Sequence, residues 1–506
     1  MDHPSPERSA PSGGAAVRRA AAEHEAGASA RDQSDARALS RFGYAQELRR
    51  ALGGFASFAI SFSIISVLTG VITTYGTALS GGGPAGLGLG WPLVCVGTML
   101  VALAMAELAS AFPTAGALYH WAALLGGAGW GWITAAMNLA GQCAIVAAID
   151  LGCAQFVTAT LGLPPWTTLP LFALVLASHG LLNAVSVRVV AWLNSFSATV
   201  HVVGVVILVG ALLAFGKRHD ASYLAQTGFT TRDDGSYTLG FLNALVLGMW
   251  TFTGYDASAH VSEETHDPAR RAPWGIVSAV VVSAIAGFCL VAALTLAVGD
   301  VGVTARDASP PLFILRGALG DTAGNAAMGL AILAMWFCGL SSVTSASRML
   351  FAFARDGGVP GAAAIRKVSA RHGTPVVAIA VATLAPLALV LATSRFSDAV
   401  FLAVASLATT GLYVSYGIPI ALGAIARHRG VWRHVGPWNL GAAGVPIAWL
   451  AVLWSFAVLV ACSLPPNVTA GAMLVVVVVL VLVVYVTTVR GKFAGPQITI
   501  ASLERD

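Results

Sequence analysis

The sequence predicts an all-α polytopic membrane protein with about twelve transmembrane helices, arranged as two inverted repeats of five in which helices 1 and 6 are broken. Composition is the first reason: of 506 residues, 57% are hydrophobic and only 10% are charged. Soluble domains carry about 25% charged residues, so an ordinary cytosolic enzyme or a nucleic-acid-binding domain is excluded. The other reasons are the length of the apolar stretches and two matching helix-breaking segments.

The apolar stretches are each long enough to cross a bilayer, which takes about 20 residues. They are too long, and alternate too little, for membrane β-strands, which span about 10 residues. The predicted spans, numbered 1 to 12, cover residues 51–76, 90–111, 129–160, 166–186, 188–215, 238–262, 273–298, 324–353, 375–393, 397–425, 441–462 and 469–489.

The spans divide the chain into three parts. Residues 1–40 are rich in Ala, Ser, Pro, Arg and Glu and predict a disordered N-terminal tail. Residues 41–490 form the membrane domain, with inverted repeats at about 51–215 and 238–425 and two extra helices within 441–489. Residues 491–506 form a C-terminal tail.

Positive charges predict the orientation. With twelve spans and a cytoplasmic N-terminus, 22 of the 28 Lys and Arg residues lie on the cytoplasmic side. This distribution follows the positive-inside rule. We therefore expect a multi-pass protein of the cytoplasmic membrane with both termini in the cytoplasm, and the net charge of +5 requires no nucleic-acid partner.

Two spans carry a Thr-Gly pair inside an apolar run, Thr69-Gly70 in span 1 and Thr253-Gly254 in span 6. Gly weakens a helix and Thr competes for backbone carbonyls, so both segments are expected to break. Breaks at matching places in two repeats indicate a transporter binding site. The alternative is that these small residues only allow close helix packing.

Titratable side chains at membrane depth are expensive and are therefore functional candidates for coupling or gating. Glu107 is either a gate or proton site, or a carboxylate that reaches the interface. Asp150 carries a charge or proton, or hydrogen-bonds a neighbouring helix. His201 takes up a proton in the physiological range, or is a neutral buried imidazole. Asp256 is expected to orient the broken segment of span 6.

Polar side chains without a charge add two further candidates. Asn138 and Gln142 share a face of span 3 near Asp150, and this stripe is a candidate substrate path. Ser341 and Ser342 belong to a hydroxyl-rich patch in span 8, which either contributes to a Na⁺ site or bonds its own helix.

Several separate motifs, in order over about residues 41–490, resemble the amino acid–polyamine–organocation transporter superfamily. The stretch around Asn138 and Asp150 is most similar to its amino acid/choline subfamily, which includes γ-aminobutyrate permeases. The motifs are Glu107-Leu108 with Pro113, Gly116 and Tyr119; Asn138-Leu139-x-Gly141-Gln142 with Asp150 and Ala154-Gln155-Phe156; Thr253-Gly254-Tyr255-Asp256 with Glu263-Glu264-Thr265; Asp267-Pro268-x-Arg270-x-x-Pro273; and Ser347-Arg348 through Asp356-Gly357.

The resemblance implies alternating access and a substrate site at the two breaks. The substrate carboxylate would meet the helix 1 amides of Ser66, Val67, Leu68, Thr69 and Gly70. The amine would meet the carbonyls of Trp250, Thr251 and Thr253, beside Gly254 and Gln142, with Phe252 as an aromatic gate. His201 stands roughly where some proton-coupled members carry Lys, so the coupling mechanism is open.

We therefore expect a secondary active transporter that moves an amino acid, a γ-aminobutyrate-like compound or a choline-like amine, by proton coupling or exchange. Protons are favoured over Na⁺ as the coupling ion. No catalytic residue, metal or cofactor is expected, since no nucleotide-binding loop or nucleophile motif occurs. The alternative is an amino-acid-sensing receptor with little net transport, for which the long N-terminal tail is the only support.

Overall fold

The structure, a computed structural model, describes residues 32–216, 218–395, 399–465, 467–496 and 500. The predicted tail segment 1–31 and the parts of the C-terminal tail at 497–499 and 501–506 lie outside the described residues. Within the described residues, eleven helical stretches are long and apolar enough to cross a membrane, and the sixth predicted span forms shorter pieces. The chain is therefore a multi-pass membrane protein.

The membrane helices are numbered after the predicted spans, with a and b for the two halves of a broken helix. They are α1a (Gly54–Ile65), α1b (Val67–Gly88), α2 (Gly90–Ala111), α3 (Ala128–Leu161), α4 (Thr168–Val185), α5 (Val187–Ala211), α6a (Tyr237–Ala244 and Val246–Thr251), α6b (Ala257–His260), α7 (Pro268–Leu296), α8 (Asp321–Arg355), α9 (Val376–Thr393), α10 (Val400–His428), α11 (Gly444–Ala461) and α12 (Val468–Val484).

The bundle has an inner and an outer layer of helices. The most apolar stretch of α1 is 83% buried, and those of α3, α8 and α10 are also mostly buried. The corresponding stretch of α12 is 0% buried, and those of α4, α9 and α11 are largely exposed. Polar residues at the breaks of α1 and α6 consequently lie deep inside the protein, whereas the outer helices present Val and Leu to lipid.

The break in α1 is confined to one residue. Ser66 has φ 34° and ψ 79°, a left-handed conformation that is unfavourable for any residue except glycine. Its hydroxyl oxygen accepts a hydrogen bond from the backbone N–H of Thr69 and so caps α1b. The break therefore lies at the first residue of the predicted segment Ser66–Gly70. α1b continues beyond the predicted end at 76 to Gly88, with a kink at Gly83, where φ is 59° and ψ is −153°.

The break in α6 is longer. α6a ends at Thr251, and the chain is not helical again until Ala257. Gly254 supplies the turn with φ +80°, where a side chain would be strained and would collide with Ile64. The unwound segment 252–256 is buried throughout, so its backbone groups need partners inside the bundle.

The N-terminal arm, residues 32–53, crosses one end of the bundle. The sequence assigns residues 32–40 to the disordered tail, but in the structure they are helical. Leu39 and Leu48 are buried, and Arg50 donates hydrogen bonds to the carbonyls of Ser262 and Thr265. The burial of Leu39 and Leu48 and the hydrogen bonds of Arg50 explain why this segment is ordered although its composition is polar. The end of the bundle that carries it is called the arm face below.

Close packing of α2 against α11 depends on Gly97, where an added Cβ would collide with the indole ring of Trp454. Gly97→Ala is expected to destabilise the protein by about 1–3 kcal/mol, because overpacking displaces the ring. Gly210→Ala on α5 is the matched control, since nothing lies within 4 Å of that position. Thermal unfolding of detergent-purified protein measures both; equal melting temperatures would contradict the packing argument.

Candidate functional site

The helix segments that flank the α1 break pack against the α6 break at the centre of the bundle. The hydroxyl of Ser61 on α1a donates to the carbonyl of Tyr255 (2.8 Å) and accepts from the backbone N–H of Ser258 (2.9 Å). On the other side of the breaks, a Cβ added to Gly70 of α1b would collide with Thr251 of α6a. Thus α1a contacts the end of the α6 break that leads into α6b, and α1b packs on the end of α6a.

His201 of α5 contacts the α1 break. Its Nδ1 lies 2.8 Å from the carbonyl oxygen of Ser197, which can only accept, so Nδ1 carries the proton. Nε2 then accepts from the hydroxyl of Ser66 at 2.7 Å. The Ser66 oxygen also lies 2.5 Å from the hydroxyl of Thr69. The structure therefore brings three predicted site residues, Ser66, Thr69 and His201, into one buried hydrogen-bonded chain.

The start of α1b presents backbone N–H groups to the break. The first four N–H groups of a helix have no partner inside that helix. Those of Thr69 and Gly70 bond to the side-chain oxygen and the carbonyl of Ser66, respectively. The N–H groups of Val67 and Leu68 remain without a partner within α1b. Together with the positive end of the helix dipole, they suit a carboxylate.

The α6 break is held by side chains of its own and of α10. The hydroxyl of Thr253 donates to the carbonyl of Trp250 (2.8 Å). The backbone N–H of Gly254 donates to the hydroxyl oxygen of Tyr416 (3.2 Å), and that hydroxyl donates to Asp256 (2.9 Å). Asp256 is therefore linked to the break through Tyr416, and the orienting role that the sequence suggests for it stays a prediction.

Asp256 also pairs with His260 in the next helical turn. His260 Nε2 lies 3.1 Å from Asp256 Oδ2, and His260 Nδ1 lies 3.2 Å from the carbonyl of Ala115. Both ring nitrogens thus face acceptors. A neutral imidazole has only one N–H, so a second proton, on the ring or on the carboxylate, is needed to form both hydrogen bonds. With Tyr416 on Oδ1 and the amide of Asn138 near Oδ2, every polar side-chain atom of this pair has a partner.

Aromatic side chains seal the α6 break. Phe252 is 0% exposed, and its ring packs against Trp91 of α2 with centroids 5.1 Å apart. The indole of Trp250 donates to the hydroxyl of Thr73 on α1b (3.3 Å). Because Ser66 is also fully buried, the conformation is closed to solvent. In this closed state Phe252 fills the interface with α2.

The hydroxyls of α8 hydrogen-bond to neighbouring helices and to α8 itself. Ser341 donates to the side-chain oxygen of Asn194 on α5 (2.7 Å), and Ser342 donates to the carbonyl of Cys338 (2.9 Å). The amide of Gln142 on α3 donates to Ser345 (3.0 Å). These contacts fix α8 between α3 and α5. The protons of the Ser341 and Ser342 hydroxyls are both donated to other protein groups.

The predicted polar stripe on α3 does not form one continuous path. Asn138 donates to Ser415 of α10 (3.1 Å), and Gln142 bonds α8. Asp150 lies 3.1 Å from His179 Nδ1 on α4, and both side chains are 0% exposed. The three residues therefore contact three different helices.

Glu107 lies away from the breaks, in an ion pair with Arg427 of α10 (2.8 Å). Its carboxylate also accepts from the backbone N–H of Leu440, in the chain that leads to α11 (2.8 Å). Among the described residues it has no contact with the breaks of α1 and α6. Its position connects α2 to α10 and α11 near their ends.

A polar cluster closes the bundle at the arm face. One carboxylate oxygen of Asp356, just after α8, accepts from the hydroxyls of Tyr44 (2.8 Å) and Tyr119 (2.7 Å) and lies 3.1 Å from His120 Nε2. Tyr44 belongs to the N-terminal arm, whereas Tyr119 and His120 lie on the short helix Leu118–Gly126. The cluster therefore ties the arm and the α2–α3 connection to the end of α8.

Next to it, Glu263 forms a two-pronged ion pair with Arg355 (2.9 and 2.8 Å). Glu263 also accepts from the backbone N–H of Ala115 (3.1 Å), and the guanidinium of Arg355 lies 3.9 Å from the centre of the Tyr44 ring. Glu263 lies in the short turn after α6b, and Arg355 is the last residue of α8. This pair therefore ties the segment after the broken helix to the end of α8 at the arm face.

These contacts shift pKa values. Burial alone would raise the pKa of Glu263, but the ion pair with Arg355 outweighs burial and leaves the pKa below its ordinary value. Burial also acts to raise the pKa of Asp356, and the hydrogen bonds from His120 and the two tyrosines lower it overall. Burial and the nearby Asp356 raise the pKa of the Tyr44 hydroxyl, which therefore stays protonated as a donor.

Several of these residues are not among the sequence-predicted candidates. His179 is the only titratable side chain of α4, so the rule that selected Asp150 and His201 also applied to it. Glu263, Arg355 and Asp356 appear in the sequence only as motif positions. Tyr44 and Tyr416 give no signal in the sequence, because their roles depend on contacts between distant segments.

A metal site is not evident at the breaks. Among the described residues, the one group of His, Asp and Glu side chains with ligand atoms close enough to share a metal ion is Asp32, Asp35 and His266 at the arm face. This group is partly exposed and lies at the arm face rather than at the breaks. The groups found at the breaks are backbone amides and carbonyls, hydroxyls, the imidazole of His201 and the Asp256–His260 pair.

Comparison with known proteins identifies the relatives of this chain. A family model described as amino acid permease matches residues 52–486. The chain is 37% identical over 475 residues to a rice protein, amino-acid permease BAT1 homolog (Oryza sativa subsp. japonica), covering 88% of this chain and 90% of the relative. It is 37% identical over 458 residues to amino-acid permease BAT1 of Arabidopsis thaliana, covering 84% and 88%.

A more distant similarity links the chain to a GABA-specific permease of Saccharomyces cerevisiae. The two are 28% identical over 466 residues, which covers 86% of this chain and 79% of the yeast protein. Each of these alignments spans nearly the whole membrane domain, so both breaks and the end of α8 fall within the shared region.

The arm-face cluster predicts a pH-dependent stability. Because the folded-state pKa values of Glu263 and Asp356 are lowered, their stabilisation is present above the ordinary carboxyl pKa of about 4 and is lost as pH falls below it. Asp356→Asn is expected to lower the unfolding free energy at neutral pH by about 1–3 kcal/mol and to flatten its fall in acid.

The measurement is the melting temperature of purified protein between neutral and acid pH. Asp321→Asn, an exposed carboxylate at the start of α8, is the control and should melt like the parent protein. An Asp356→Asn protein with the parent's melting temperature at every pH would contradict the stabilising role of the cluster.

Proposed function

Because the chain belongs to the amino acid permease family and is an amino acid transporter, we propose that its substrate binds where the breaks of α1 and α6 meet. The observation that carries this proposal is the direct contact of α1a, just before its break, with the α6 break and the start of α6b, through Ser61, Tyr255 and Ser258. Unwound backbone at membrane depth is tolerated where it is buried or lines a site, and here it lies at the crossing of the two helices.

The lack of a free charged side chain at the breaks favours a zwitterionic amino acid. Neither α1, residues 54–88, nor the stretch 237–255 contains a charged residue. Asp256 is already engaged by Tyr416 and His260. A substrate with net charge would bring an unpaired charge into the membrane interior, whereas a zwitterion carries both partners with it. A neutral α- or ω-amino acid therefore fits better than a choline-like cation.

The two ends of a zwitterion match the two breaks. We assign the carboxylate to the N-terminus of α1b, where the amides of Val67 and Leu68 are donors without a partner inside the helix. We assign the ammonium to the carbonyl oxygens at the end of α6a, from Trp250 to Thr253, since half-helix C-termini carry partial negative charge. Phe252 and Gln142 then border the site.

The coupling ion that we propose is the proton. Asp and His side chains lie buried at membrane depth on α3, α4, α5 and α6. Ionisable side chains inside a membrane protein are typical of proton pathways.

We further propose that the protein lies in the cytoplasmic membrane with the arm face in the cytoplasm. The distribution of Lys and Arg supports this orientation. In it, the Glu263–Arg355 pair and the Asp356 cluster form the inner gate, which must open to release substrate into the cell.

Reconstitution in proteoliposomes tests the function. Uptake is measured for a panel of labelled neutral amino acids, γ-aminobutyrate, an acidic and a basic amino acid, and choline, with and without an inwardly directed proton gradient. We expect a neutral amino acid to accumulate only with the gradient, and Na⁺ to have no effect. Accumulation driven by Na⁺ would contradict proton coupling, and selective uptake of choline would contradict the zwitterion site.

The role of the α6 break is tested by Gly254→Ala, in which the new methyl group collides with Ile64 of α1a. We expect loss of substrate binding with retained membrane insertion, measured as the substrate-induced rise in melting temperature. Gly320→Ala is the matched control, because Gly320 has φ +79° but nothing within 4 Å. If both variants bind alike, backbone approach at Gly254 is not needed for the substrate.

A further inference from the structure

Asp150 and His179 form a carboxylate–imidazole pair that the substrate site does not use. Asp150 Oδ2 lies 3.1 Å from His179 Nδ1, and both side chains are 0% exposed. The other carboxylate oxygen, Asp150 Oδ1, and the other ring nitrogen, His179 Nε2, have no hydrogen-bond partner. A buried pair in which both members keep an unpartnered polar atom requires an explanation, because such atoms are costly at membrane depth.

The protein contains a second buried Asp–His pair with which this one can be compared. In Asp256–His260 every polar side-chain atom has a partner, and both ring nitrogens face acceptors. That pair therefore has no polar atom left free to bind a further group. In Asp150–His179 only Nδ1 faces an acceptor, so the geometry allows Nε2 to be either bare or protonated.

We propose that Asp150–His179 is the proton-binding site of this transporter, with His179 Nε2 as the atom that takes up and releases the transported proton. This inference rests on the proposed proton coupling and assigns it to a pair outside the substrate site. With Nε2 bare, the imidazole is neutral and the pair carries the single negative charge of Asp150. With Nε2 protonated, the pair has no net charge.

The charge difference between the two protonation states explains how the pair can carry a proton across the membrane. A net negative charge sealed inside the bundle is unfavourable, whereas a neutral ion pair is tolerated. The closed conformation therefore retains the proton. When one side opens to water, solvation of the bare carboxylate permits release. His179 takes one proton from the outer solution and delivers the same proton to the inner solution, so no other reactant is needed.

Few other titratable groups face the pair. The thiols of Cys153 on α3 and Cys338 on α8 lie close enough to Asp150 to interact with it electrostatically. α9, which packs on α4, contains no titratable residue, and the only one in α1 is Tyr75. His201 of α5 hydrogen-bonds Ser66 instead. No Lys or Arg of the described residues pairs with Asp150, so His179 alone balances its charge.

The pair is connected to the substrate site through α8. A Cβ added to Gly339 would collide with Asp150 Oδ1 and would lie 2.6 Å from the His179 ring, so the backbone of α8 touches the pair directly. The preceding residue, Cys338, donates its thiol proton to the carbonyl of Ile64 (3.2 Å). Ile64 is the last residue but one of α1a. Movement of α8 over the pair therefore acts directly on the α1 break.

The test separates proton-driven accumulation from substrate exchange in proteoliposomes. One proton per substrate and a gradient of one pH unit support about tenfold accumulation. We expect His179→Gln and Asp150→Asn to reduce this ratio to one, while exchange of labelled for unlabelled substrate continues and becomes independent of pH. Ser178→Ala, which removes the hydroxyl that binds the neighbouring Trp336, is the control and should accumulate substrate like the parent protein.

The substrate-induced rise in melting temperature shows whether each variant is folded. If a single variant is not, the double variant Asp150→Asn/His179→Gln replaces the pair by two neutral amides that can bond each other. If a folded variant still accumulates substrate about tenfold, the assignment of the proton site to Asp150–His179 is wrong, but proton coupling itself is not contradicted. Exchange without pH-driven accumulation in the parent protein would instead overturn the proton coupling on which it rests.

Discussion

The backbone of the unwound α6 segment must find its hydrogen bonds inside the protein, and this constraint shapes the centre of the bundle. Neither water nor lipid can satisfy those groups at membrane depth. Ser61 of α1a supplies a donor to Tyr255 and an acceptor to Ser258, and Tyr416 of α10 accepts from Gly254. α1 and α10 are therefore held against α6 by the break itself. A substrate that hydrogen-bonds the remaining backbone groups would complete the same set of interactions.

The charged residues are distributed unevenly: hydrogen bonds dominate at the two helix breaks, whereas ion pairs close the bundle at the arm face. Neither α1 nor the stretch 237–255 contains a charged residue, and Asp256 at the end of the α6 break is already bonded to Tyr416 and His260, so the proposed zwitterion would enter and leave without breaking an ion pair of its own. The arm face is closed by Glu263–Arg355 and by the donors around Asp356. These contacts lie near the end of the bundle, where water can replace them when they open. Separating these charges at the arm face is therefore less expensive than separating comparable charges at the centre would be.

The sequence predicts the broken helices because glycine and threonine affect the backbone locally, and the Thr69-Gly70 and Thr253-Gly254 pairs are visible in a single chain. It also predicts an orienting role for Asp256, since a carboxylate two residues after a break is a local feature. It does not predict that Tyr416 links Asp256 to the break, because residues 254 and 416 meet only in the folded bundle. The order of residues 32–40 likewise depends on distant partners such as Arg50 and Asp267.

Two sites that bind different ligands can be coupled only if a shared element has different energies in their states. α8 is such an element, since Gly339 touches Asp150 and His179 while Cys338 bonds Ile64 at the α1 break. Coupling of this kind is reciprocal: if a proton on the pair strengthens substrate binding, substrate must raise the proton affinity by the same factor. A carrier with this property moves fully loaded or empty more readily than half loaded, which is what symport requires.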